Sequence, residues 1–174
     1  MADQQFFRLV ERIGFNRTRT FRELKQSPRK HEALVKVHSV ALNFRHSPIV
    51  TSQHPFPVKE KVVHCPDAAG EIVEVGAGGS DFYVGDKVVA YFDPTNLYSP
   101  QVSWYHGQGG PVDNILREFV VLPAIAIVNI PETSLSFAKW ASLVITGVAS
   151  WNALYGNIPL LPGQNVLFQV VYTH

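Results

Sequence analysis

The sequence predicts a mainly β protein with some α: a barrel or sandwich of short strands, then a helix and a buried strand of the kind that opens a parallel α/β unit. Three observations predict it. Short β-branched or alternating segments recur through the first two-thirds, punctuated by Gly and Pro. From 136 to 155 the apolar residues switch to three- and four-residue steps. A continuous apolar run, 166–171, follows a Pro-Gly turn.

Taken in order, 32–42 alternates Leu34, Lys36 and His38 against Val35, Val37 and Ser39, which predicts a strand. A second strand, 70–75, ends at Gly76-Ala77-Gly78-Gly79. The turn Gly85-Asp86 leads into a third, 87–92. Strands 118–122 and 124–130 flank Pro123, which belongs at a strand end or bulge because it cannot donate to a ladder. Phe137, Trp140, Leu143, Val144, Val148, Trp151 and Leu154 then mark one face of a helix. Ser134 or Ser136 can cap its start, and Gly156 suits its end. Gly147 in its interior leaves two shorter helices open. Two-sided burial is expected for 166–171.

The chain has 174 residues, 46% of them hydrophobic, and a net charge of +1. Such a charge excludes a strong field for nucleic acid or an anionic membrane. The basic residues Arg8, Arg12, Arg17, Arg19, Arg22, Lys25, Arg29 and Lys30 are interrupted by acids and read as a solvated face. Cys65 is the one cysteine, so an internal disulfide and a Cys-rich zinc site are both excluded. Its bland reading is a small buried hydrophobe. With no long apolar run, the expectation is a cytoplasmic protein with no membrane and no nucleic-acid partner.

Four segments resemble the medium-chain dehydrogenase/reductase superfamily, in its zinc-independent, quinone-oxidoreductase-like branch. Val40-Ala41-Leu42-Asn43-Phe44-Arg45 is similar to the family's SLNYRD. Asp67-Ala68-Ala69-Gly70-Glu71-Ile72-Val73-Glu74-Val75-Gly76, with Phe82 and Val84-Gly85-Asp86-Lys87-Val88, looks like its D-x-A-G-x-V-x-x-V-G and F-x-x-G-D-x-V core. The third segment runs from Gly110-Pro111 through Glu118-Phe119-Val120-Val121. The fourth pairs 143–154 with Pro162-Gly163-Gln164-Asn165-Val166-Leu167. The resemblance implies a GroES-like β-barrel over 1–131, carrying the substrate side. It implies the first helix and strand of an incomplete Rossmann domain over 132–174. It further implies hydride transfer from NADPH or NADH, with NADPH suggested by the branch, to a small-molecule enone, quinone or aldehyde. A homodimer is compatible with it.

Zinc is not expected. The family's first zinc ligand falls in Asn43-Phe44-Arg45 and its His-Glu pair on Pro66-Asp67, residues poorly suited to zinc. His64, Cys65 and Asp67 are close in sequence, but neighbours on an extended strand point to opposite faces. Candidate catalytic residues are therefore Asn43, Arg45, His46 and Asp67. Asn43 can hold a substrate carbonyl or the nicotinamide region, or simply cap a turn. Arg45 can pair with a carboxylate or phosphate, or lie on the surface. His46 can donate a proton, or be a hydrogen-bonded loop residue. Asp67 matches a family acid beside the cleft, or packs a turn. Tyr91 can offer a phenol or pack in its strand. The resemblance puts Asn43 and Thr146 on the cofactor side, while Ala149 replaces a family threonine.

A dinucleotide fold needs a glycine turn after its first strand. Here Val170-Val171-Tyr172-Thr173-His174 stands in that place, without glycine. Gly76-Ala77-Gly78-Gly79 and Gly107-Gln108-Gly109-Gly110 are glycine-rich but lead into strands or loops rather than a helix. The expectation is a front part truncated before the cofactor loop and inactive alone. The alternative is a non-catalytic interaction or small-ligand-binding module.

Overall fold

Five antiparallel strands, Phe119–Pro123, Glu32–Val40, Ala68–Val75, Lys87–Ala90 and Ile127–Asn129 in that spatial order, curl into a half-barrel. The computed structural model describes residues 3–78, 81–90, 93 and 110–169. Its strands are β1 (Asp3–Leu9), β2 (Thr18–Leu24), β3 (Glu32–Val40), β4 (Ala68–Val75), β5 (Lys87–Ala90), β6 (Phe119–Pro123) and β7 (Ile127–Asn129). The helices are α1 (His46–Val50) and α2 (Phe137–Tyr155).

Strands β3 and β4 form the longest ladder of the sheet, with register shifts between Leu34 and Val35 and between Val37 and Ser39. Such bulges bend and twist the strand that carries them, which curls the sheet. Gly70 sits opposite Val37. A Cβ there would collide with the Lys36 carbonyl, so only glycine lets β3 and β4 close at that point. The concave face buries Val35, Ile72, Val88, Ile115, Leu122 and Ile127.

The predicted strands appear with shifted ends. The first stops at Val40, the second begins at Ala68, and Pro123 ends β6. The expected strand 124–130 is instead a 3-10 turn, Ala124–Ala126, followed by the short β7. The Ala124 N–H donates to the His31 carbonyl at 2.9 Å, which draws the chain off the ladder. The third strand is described to Ala90; Tyr91 and the rest of that expectation lie outside the described residues.

Strands β1 and β2 make a separate hairpin that the sequence reading left unassigned. Its inner residues are held by polar partners. The Gln4 amide donates to Glu23 at 2.9 Å and accepts from the Phe119 N–H at 2.8 Å. Arg8 pairs with Asp113 at 3.1 Å, so the solvated-face reading fails for this cation. Leu9, Ile49, Val50 and Val62 form a second small core where the hairpin meets α1.

Helix α2 is continuous through Gly147. The Ser136 hydroxyl accepts from the Lys139 N–H, which selects Ser136 over Ser134 as the cap. Phe137 stacks on His38 at 4.5 Å and anchors the helix on β3. Ala141 is the one fully buried residue of the helix, while Trp151 is 65% exposed. Residues 166–169, expected as a buried strand, make no ladder, and Leu167 is 90% exposed. No neighbouring strand lies beside them among the described residues, and a parallel strand requires one. Residues 170 and 171 lie outside the described residues.

Candidate active site

Where β3 ends, the chain turns sharply before α1. The His46 N–H donates to the Asn43 carbonyl and the Ser47 N–H to the Phe44 carbonyl, each at 3.0 Å. This turn faces the segment leading into β4, joined by the Ala41 N–H donating to the Asp67 carbonyl at 2.9 Å. Helix α2 closes the other side. Between them lies a cleft of about 470 Å³ lined by Asn43, Phe44, Arg45, His46, His54, Phe56, Pro66, Asp67, Pro111, Ile145, Thr146 and Ala149. All four candidate catalytic residues and Thr146 therefore meet in one place, from segments more than a hundred residues apart in sequence.

Asp67 is fully buried. Burial pushes its carboxyl up to about 6, against the opposing pull of the Asn43 hydrogen bond and the Arg45 charge. The Asn43 amide donates to Asp67 Oδ2, and Oδ1 has no hydrogen-bond partner. A proton held by this carboxyl belongs on Oδ1, because Oδ2 is already an acceptor.

His46 is 3% exposed. Its Nδ1 lies 2.8 Å from the Asn43 nitrogen and 3.0 Å from the Asn43 carbonyl oxygen. That oxygen already accepts from the His46 N–H, so Nδ1 is best read as the acceptor of the Asn43 N–H, with the proton on Nε2. Nε2 has no partner. Burial lowers the His46 pKa, keeping the ring neutral.

Arg45 Nε donates to His54 Nε2 at 3.2 Å, which fixes His54 as a neutral ring with its proton on Nδ1. A Cβ on Gly110 would stand 2.6 Å from an Arg45 guanidinium nitrogen, so the bare backbone makes room for that group. The Thr146 hydroxyl bonds back to the Ser142 carbonyl within its own helix. Ala149, one turn on, supplies no hydroxyl.

Two cleft residues, His54 and Phe56, were not singled out from the sequence, and His64 was weighed only as a metal ligand beside Cys65 and Asp67. A lone histidine has no spacing pattern, and only the β3–α1 turn brings these together. His64 is buried with neither ring nitrogen bonded, and burial pushes it down to about 4. Its ring stands edge-on to His46, with centroids 6.3 Å apart. Residues 64–67 are not the extended strand expected. Cys65 takes φ 67°, in the left-handed region, so the alternation argument does not apply there. Cys65 is buried, as a small hydrophobe would be, and burial pushes its thiol up to about 12. Among the described residues, no group of three or more His, Cys, Asp or Glu is placed to hold a metal ion.

Residues 29–132 match the model of the alcohol dehydrogenase GroES-like domain. The chain belongs to that family. This GroES-like chain is 35% identical over 149 residues to a zinc-type alcohol dehydrogenase-like protein of Schizosaccharomyces pombe, covering 83% of this chain and 43% of that protein. It is 32% identical over 130 residues to a chloroplast envelope quinone oxidoreductase homolog of Arabidopsis thaliana, covering 74% and 34%. In fold it is similar to a thermostable alcohol dehydrogenase from Pyrobaculum aerophilum. The TM-score is 0.72 at 20% identity, over 88% of this chain and 48% of that one. The GroES-like chain thus spans less than half the length of each of these proteins.

Proposed function

We propose that this chain supplies the substrate-side wall of an NAD(P)H-dependent oxidoreductase, with NADPH as hydride donor, that reduces an enone, quinone or aldehyde without zinc. The observation that carries the reading is the convergence of Asn43, Arg45, His46 and Asp67 on one largely apolar cleft against α2. In this reading 1–131 form the substrate-side domain and 132–174 the start of the dinucleotide-binding domain.

The donor set does not fit a resident zinc. Asn43 is turned onto Asp67, Arg45 brings a positive charge, and Pro66 has no ligand atom. The cleft fits the nicotinamide end of a dinucleotide, since Asp67 Oδ1 and His46 Nε2 are buried polar atoms in need of partners. Among the described residues, no glycine-rich turn precedes a helix of full length to cradle the pyrophosphate.

The cofactor, when bound, supplies the hydride. The protein's own residues supply position and a proton. Phe56, Pro111 and Ile145 line the apolar wall that limits water at the reacting carbonyl. His46 Nε2–H offers a hydrogen bond to the developing oxyanion. Asp67, protonated on Oδ1 below about pH 6, holds the proton that the reduced product takes up. Arg45 sets the field around Asp67 while it orients His54.

The test joins this chain to the dinucleotide-binding domain of a relative and follows NADPH oxidation by an enone with and without a metal chelator. Equal rates are expected; loss of activity on chelation would overturn the zinc-free reading. In a parallel fluorescence titration, the 174-residue chain alone is expected to bind NADPH at least a hundredfold more weakly than the extended form, an estimate of roughly 3 kcal/mol for the missing phosphate contacts.

A further inference from the structure

We propose that the tip of the β1–β2 hairpin is a docking surface for anionic lipid membranes, seating Ile13 and Phe15 among the headgroups while Arg12 and Arg19 meet lipid phosphates. The proposal stands apart from the proposed reaction and uses none of the cleft residues.

Whole-chain charge hides a strong asymmetry. Residues 8–30 hold eight Lys and Arg against two acids, whereas the rest of the chain holds seven against twelve. Both acids of the segment are engaged: Glu11 pairs with Arg17 at 3.3 Å and Glu23 with Arg117 at 2.8 Å. Among the described residues, Arg12 and Arg19 carry no ion pair. Arg12 lies in the connecting loop and Arg19 one residue beyond its closing pair, Leu9 and Thr18, whereas Lys25, Arg29 and Lys30 follow the far end of the hairpin, where Leu24 pairs with Asp3. An anionic surface attracts the tip through Arg12 and Arg19.

The apolar half of the surface sits at the same tip. The ladder closes at Leu9 and Thr18, so 10–17 form the connecting loop. Ile13 is 66% exposed and Phe15 61%. Arg19 folds back to donate to the Asn16 carbonyl at 2.6 Å, which holds its guanidinium against the loop that carries Phe15. Two large apolar side chains flanked by arginines match an interfacial anchor, whose apolar part enters the acyl boundary while cations stay at the phosphates.

The tip is held in this shape rather than left to find it. The Gly14 N–H donates to the Val50 carbonyl at 2.9 Å, with Gly14 at φ 139°, a conformation suited to glycine. The Ser52 hydroxyl donates to the Arg12 carbonyl at 2.8 Å. Both bonds tie the loop to α1 and its C-terminal turn, so docking has little ordering entropy to overcome. A nucleic acid fits less well, because Ile13 offers neither a stacking face nor a hydrogen bond.

The test is vesicle flotation of the 174-residue chain, using phosphatidylcholine alone or with about 30 mol% phosphatidylserine, and comparing wild type, Ile13→Ser/Phe15→Ser and Arg12→Glu/Arg19→Glu. Binding is expected on the anionic vesicles and not on neutral ones. A loss of about tenfold or more is expected in each variant, with unchanged circular dichroism. Three results would overturn the proposal: no binding to the anionic vesicles, equal binding by the variants, or release of the bound protein from the vesicles by duplex DNA or RNA at matched charge.

Discussion

The barrel wall and helix α2 carry equally regular apolar patterns and bury them very differently. In β3, Ala33, Leu34 and Val35 are at most 4% exposed. In α2, Val148 is 52% and Trp151 65% exposed. The contrast teaches that periodicity sets which element forms and which face is apolar, while the partner that covers the face is a separate fact. The five-stranded sheet supplies its own partners by curling, whereas α2 rests on it through Phe137 and Ala141 and leaves Leu143, Val148 and Trp151 of its stripe exposed.

That difference should appear in stability. Ile72→Ala empties a fully buried barrel position and is expected to cost ~3–4 kcal/mol in denaturant unfolding. A cost below about 1 kcal/mol would mean that the sheet is not the core.

Asp67→Asn separates folding from chemistry. The folded carboxyl is raised from 3.8 to about 6, so the folded state holds this proton more tightly than the unfolded chain. Its stabilisation is therefore present below pH 4 and lost as pH rises through 6. Above that, the buried carboxylate leaves the fold up to ~3 kcal/mol weaker than a neutral group would. Asp67→Asn is expected to be more stable than wild type by ~1–3 kcal/mol at pH 7.5 and equal near pH 4. His64 titrates in the opposite sense but is common to both proteins, so the difference between them isolates Asp67. Thermal melts across that pH range check it; a pH-independent difference would sink the assignment.

Ser136→Ala removes the α2 cap, whose hydrogen bond at 3.5 Å is long, and is expected to cost ~0.5 kcal/mol. Trp151→Ser, on the uncovered stripe, should change stability by less than about 0.5 kcal/mol. If Trp151→Ser costs as much as Ile72→Ala, the two regions are not distinct in the way described.

Much of the sheet and α2 was legible because their apolar residues alone carry the period. The hairpin was not, because its inner positions include the buried Gln4 and the half-buried Arg8, held by hydrogen bonds and an ion pair rather than by hydrophobicity. The strand expected at 124–130 shortened because a long-range bond to His31 diverted its start. Within the cleft, Asn43, Arg45, His46 and Asp67 came to notice through motif resemblance. His54 and His64 carry no motif, and their place depends on the turn before α1. Summed over the chain, a net charge of +1 concealed the basic excess of residues 8–30.

The central claim is that Asp67 holds the proton for reduction in a zinc-free cleft. Its most direct test is the pH dependence of kcat/KM for NADPH-driven enone reduction by the extended protein, in chelator, comparing wild type with Asp67→Asn. The account predicts that the wild-type rate falls about tenfold per pH unit above about 6, and that Asp67→Asn is slower by roughly a hundredfold at pH 6 with that slope abolished. The same slope and midpoint in both proteins would contradict it.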